Sequence, residues 1–105
     1  MRSILTSSMS QSVIAIHFEV TEDDRGLYSV ETGYEGDKNV DLSFLLSIEE
    51  YAYRTPHEAA HQCLKKLDCY ALQQALRSQN TRIFFVVSLE LLMLANIYAR
   101  EKNVN

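Results

Sequence analysis

The grouping whose residue types and spacing could do chemistry most directly is His57-Glu58-Ala59-Ala60-His61. Two histidines four positions apart project from one helical face, where both imidazoles can bind a zinc ion. A glutamate between them can take a proton from the metal-bound water. The two intervening alanines are small and uncharged, as a packed active-site helix requires. Three physical objections weigh against this use. Pro56 directly precedes the motif, so it occupies the first turn of any helix it belongs to, where ends fray and ligands are held least rigidly. Glu58 has a second employment, because Thr55-Pro56-His57-Glu58 is a helix start: the threonine hydroxyl accepts from the backbone three residues on, proline suits the first helical position, and glutamate can reach back to the cap. A third ligand must also come from Asp68, Cys69 or Glu90, since no histidine follows His61. The sequence therefore assigns no catalytic, cofactor-binding or metal-binding residue, with a zinc-dependent hydrolase using His57, Glu58 and His61 as the alternative.

The remaining chemical candidates are weaker. His17 lies beside Glu19 on the less apolar face of an expected strand, which is a solvated or cross-strand position. Asp23-Asp24 falls in a turn and Glu49-Glu50 just before the helix cap, so neither pair has the enclosure that general acid-base work needs. No glycine-rich phosphate loop and no nucleophile motif is present. Cys63 and Cys69 have neither the spacing of a redox pair nor that of a zinc knuckle, and on one helix they point to different sides. Both thiols are expected to be buried and outside a disulfide, which implies a reducing compartment, and the localisation expected is cytoplasmic. The six tyrosines suit the rim of a core or a protein interface, having a broad apolar ring and a polar tip.

The elements that must position these residues follow from periodicity. Between Val13 and Val20, the residues Ile14, Ile16, Phe18 and Val20 alternate with Val13, Ala15, His17 and Glu19, which is a strand with one apolar face. A polar turn from Thr21 to Gly26 leads to a second strand from Leu27 to Thr32, and Gly33-Tyr34-Glu35-Gly36-Asp37 reads as a second turn. Val40, Leu42, Phe44, Leu46 and Ile48 then alternate with more polar neighbours over ten residues, which predicts a third strand; a helix capped by Asp41 is the competing reading. The Pro56 helix carries the stripe Ala60, Cys63, Leu64, Leu67 and Ala71 to about Arg77, with a possible break near Asp68. After a connection at Ser78-Gln79-Asn80-Thr81, the segment from Arg82 to Lys102 is apolar on two stripes and reads as a final helix. Ile83 to Val87 could instead form a short strand before a helix beginning near Ser88.

These elements predict an α+β domain: a three-stranded antiparallel β-meander followed by two helices packed on one face. Ile14, Ile16, Phe18, Tyr28, Val30, Leu42, Phe44 and Leu46 should face Leu64, Leu67, Leu91 and Leu94. At 105 residues the chain can fill one core, so residues 12–105 are expected to form a single domain behind a flexible tail at 1–11, within which Met9 is a possible alternative start. That opening is too short in apolar length for a signal peptide. Ile83 to Ala99 reaches the lower length limit of a membrane span, but Glu90 at its centre would be costly in hydrocarbon, and a buried helix is the better assignment.

Composition narrows the partners. A net charge of −4 removes any general attraction to phosphate backbones or anionic lipid, so neither nucleic acid nor membrane is an expected partner. A free sheet edge and an unsatisfied stripe on the last helix would both be relieved by another subunit, which predicts a homodimer or larger. With no cofactor motif and no basic patch, the sequence points to a non-catalytic protein-binding module, such as an adaptor, inhibitor or chaperone-like factor, and a mobile element is a possible source.

Overall fold

The structure, a computed structural model, describes residues 12–36, 41–77 and 81–103. The tail expected at 1–11 lies outside the described residues, as do Asp37, Val40 and most of the connection expected at 78–81.

Strands β1 (Ser12–Glu22) and β2 (Tyr28–Gly36) form the expected antiparallel hairpin, with Val20 opposite Val30 and Ile16 opposite Tyr34. Asp23 builds the turn between them. Its carboxylate accepts from the backbone N–H groups of Leu27 (3.0 Å) and Arg25 (2.8 Å), and Gly26 supplies the positive φ of 77°. The donation from Leu27 leads the interactions that hold the Asp23 carboxyl below its ordinary pKa.

The turn expected at Gly33 to Asp37 is corrected by the continuation of β2 to Gly36. Both glycines serve close approach within the strand. The His17 ring of β1 lies over Gly33, where a Cβ would collide with it. Gly36 has a φ of 134° and sits against the Val13 carbonyl.

The third strand expected over Val40 to Ile48 is also corrected. A 3-10 turn (Ser43–Leu45) runs directly into a short helix, α1 (Leu46–Glu49). Asp41 starts it by accepting from the Ser43 N–H at 2.9 Å. Burial then follows helical spacing, with Leu45 and Ile48 inside, while Leu46, assigned to the core by strand alternation, is 64% exposed. A helix rotates 100° per residue where a strand rotates 180°, so the same sequence presents a different face.

Helix α2 (Pro56–Arg77) begins where the sequence places it, with the Thr55 hydroxyl accepting from the Glu58 N–H at 3.1 Å, and it runs without interruption past Asp68. Among its described side chains, Ala59, Ala60, Cys63 and Leu67 are buried. Strand β3 (Thr81–Val86) follows and pairs with β1 in parallel, placing Ile83 beside Ile14 and Phe85 beside Ile16. The sheet is therefore mixed, in the order β2-β1-β3, in place of the antiparallel meander. A parallel pair needs a long crossover, and α2 supplies it.

Helix α3 (Leu89–Lys102) is capped by Ser88, whose hydroxyl accepts from the Leu91 N–H at 3.1 Å, and it ends at Asn103 in the left-handed region with a φ of 54°. The apolar run from Ile83 to Ala99 is thus divided between a strand and a helix. No helix among the described residues is long and apolar enough to cross a membrane.

The core lies between the sheet and the helices on one of its faces: Ile14, Ile16, Phe18 and Val30 meet Ala59, Ala60, Cys63, Leu67, Leu91 and Ala95, with Leu45 and Ile48 closing one side. Phe85 ties the elements together, its ring lying 6.0 Å from that of Phe18 and 6.4 Å from that of Phe44.

Candidate functional site

The motif His57-Glu58-x-x-His61 occupies the first two turns of α2, and its histidines face α3. His57 Nδ1 lies 3.7 Å from the Glu101 carboxylate, and the His61 ring packs on Tyr98 with centroids 4.8 Å apart. Both rings therefore join the start of α2 to the end of α3. The Tyr53 phenol is pushed above its ordinary pKa, by burial first and by the charge of Glu58 second. Asp68 lines the same interhelical groove as His61, while Glu90 lies in the first turn of α3. Among the described residues no three of His, Cys, Asp and Glu come together as a metal-binding group.

The two cysteines have different surroundings, as their spacing implies, and neither is in a disulfide. Cys63 is buried, and desolvation pushes its thiol up to about 12 against a small opposing effect from Lys66. Such a thiol is not a nucleophile near neutral pH. Cys69 is exposed, contrary to the expectation that both would be interior.

A polar cluster fastens α1 to α2. Lys66 donates to the Ser47 carbonyl at 2.9 Å while its ammonium sits 4.1 Å from the centre of the Tyr51 ring. Ser47 also bonds to the Tyr70 hydroxyl, and the Tyr70 ring packs on Phe44 at 5.2 Å. Tyr53 exchanges two backbone hydrogen bonds of 2.7 Å with Tyr28 at the margin of β2. These tyrosines are fasteners around the core.

What sequence reasoning missed is a surface. In β3, Ile83 and Phe85 turn to the core while Phe84 and Val86 turn to the opposite face of the sheet, which no described element covers. Just beyond, Leu89, Leu92 and Met93 form an exposed apolar stripe on α3. The signal was available in the alternation of Ile83 to Val86, but only if that run is a strand. Read as helix, Val86 and Met93 fall on one interior stripe.

No family model, no curated protein and no solved structure matches the chain.

Proposed function

We propose that the chain is a non-catalytic protein-binding module that also associates with itself. The observation that carries this reading is the exposed apolar strip of Leu89, Leu92 and Met93 beside β3, whose outer edge has no strand partner among the described residues. An unpaired edge offers backbone N–H and C=O groups to another chain, and adjoining apolar side chains add burial once that chain arrives. A second copy can supply both, edge to edge across a two-fold axis, with the α3 stripes meeting on the helical side of the joined sheets.

The polar groups favour binding over catalysis in the same way. His57 and His61 are engaged between helices, and Cys63 is held in its neutral form by burial. A cytoplasmic setting fits an exposed thiol and a buried one that are not joined in a disulfide.

Sedimentation velocity tests self-association. The wild type should sediment as a dimer, and Leu92→Lys with Met93→Lys should sediment as a folded monomer, because two charges per copy would meet across the axis. A wild type that stays monomeric at high concentration would refute the self-association.

A further inference from the structure

The uncovered face of the sheet is not a uniform solvated surface. Register places its side chains in rows across β2, β1 and β3: Glu35, Ala15 and Phe84; then Gly33, His17 and Val86; then Glu31 beside Glu19. The pair Val13 and Arg82 ends the face at the starts of β1 and β3. Beyond Arg82 the face along β3 is apolar, and with Val13 on the neighbouring β1 it exposes Val13, Phe84 and Val86 by 51%, 51% and 52%. Glu31 and Glu35 on β2 are exposed, and Glu19 on β1, directly beside Glu31, adds a third exposed carboxylate. A sheet with one solvated face ordinarily alternates polar residues outward, and directly opposed like charges such as Glu19 and Glu31 are unfavourable in isolation.

From this arrangement we infer that the open sheet face binds a cationic amphipathic helix of a partner protein, laid along the strands with its apolar side on Phe84 and Val86 and its basic side on Glu19, Glu31 and Glu35. The inference rests on the protein-binding reading and names the partner's chemistry. The dimensions agree with a helix. Adjacent strands are about 4.8 Å apart, so Phe84 and Val86 on β3 lie about 10 Å from Glu31 and Glu35 on β2, close to the diameter of one helix. Glu31 and Glu35 are separated by about 13 Å along the strand, which is spanned by about nine helical residues at 1.5 Å each. Lysines or arginines repeating every three or four residues along one side would meet all three carboxylates.

Charge decides between this occupant and the others. A second copy placed face to face would bring acidic rows into a common interface, with Arg82 as the one fixed positive group among the described residues of each face. Anionic lipid and nucleic acid would be repelled by the same row. The position of His17 keeps the middle of the face low, because its ring lies down over Gly33.

The test uses a fluorescein-labelled model helix of about fourteen residues, leucine on one side and lysine on the other, titrated by anisotropy. A matching peptide with glutamate replacing lysine serves as the comparison. The lysine peptide should bind with an affinity that falls steeply with salt, and the glutamate peptide should not bind. Glu31→Gln with Glu35→Gln should weaken binding by about tenfold or more, as should Phe84→Ser. Asp24→Asn with Glu50→Gln removes the same charge elsewhere and should change affinity less than about twofold. Amide shifts on binding should concentrate at Ala15, His17, Phe84 and Val86. An equal loss in the Asp24/Glu50 variant would reduce the effect to general attraction to an acidic protein and overturn the site, as would unchanged binding by the Phe84 variant. Because these substitutions leave Leu92 and Met93 intact, a failure here is separable from a failure of self-association, which sedimentation reports independently.

Discussion

The two edges of the sheet are treated in opposite ways. Along β2, the segment from Asp41 to Tyr53 seals the outer margin: Tyr53 pairs with Tyr28 through the backbone, and the Glu49 carboxylate accepts from both the N–H (3.2 Å) and the hydroxyl (2.9 Å) of Thr32. Along β3 no described element does the same, and the side chains turned outward there include Phe84 and Val86. Strand edges are liabilities that proteins cover unless they are used. The difference teaches that α1 and its flanks protect one edge, while the β3 edge stays open among the described residues, which is the edge the proposed self-association uses.

The most damaging way to break the contrast is to detach β3. Phe85→Ala removes the ring between Phe18 and Phe44 and should cost about 3–5 kcal/mol in urea denaturation. A loss under about 1 kcal/mol would mean that β3 contributes little to the core. Opening the covered edge is the next largest effect. Glu49→Ala takes the acceptor from two Thr32 donors and should cost about 1.5–3 kcal/mol, with faster hydrogen exchange at the Thr32 amide as the local signature.

The helix caps sharpen the comparison because one stands on each side of it. Thr55→Ala at α2 and Ser88→Ala at α3 should each cost about 1 kcal/mol, and being far apart in the fold they should add. Chemical denaturation of the double variant checks the sum. His61→Ala should cost about 0.5–1.5 kcal/mol through its lost contact with Tyr98, measured the same way.

The smallest effect at neutral pH belongs to Cys63. Its folded thiol sits at about 12 against an ordinary 9.0, so between those values the folded chain holds a proton that the unfolded chain releases. Stability should therefore be insensitive to this group below about pH 9 and decline as pH rises from there toward 12. Cys63→Ala should flatten that decline, and thermal melts across the alkaline range would reveal a slope that does not change if the burial is misplaced.

Local grammar was enough for part of this molecule. The alternation from Ile14 to Val20 determines β1 and its buried face whatever surrounds it, because period two has one solution on a pleated strand. Asp23 and Gly26 carry their turn, and Thr55, Pro56 and Glu58 carry the start of α2, in each case through bonds made within a few residues. The place of the histidine motif at the head of α2 was legible for the same reason, since the Thr55 cap that starts the helix is local.

Tertiary structure decided the rest wherever a short apolar run fits two periods. Leu42 to Ile48 alternates well enough to be a strand, yet it forms a turn and a helix against β2. Ile83 to Val86 continues a helical stripe, yet it extends beside β1. A strand gains its hydrogen bonds only from a neighbour, and which segment becomes that neighbour depends on the crossover that brings it there. Only with β3 in place do Glu19, Glu31, Glu35, Phe84 and Val86, drawn from three separate stretches of chain, come to share one face. No reading of any single stretch contains that surface, because residues distant in sequence become adjacent only through strand register.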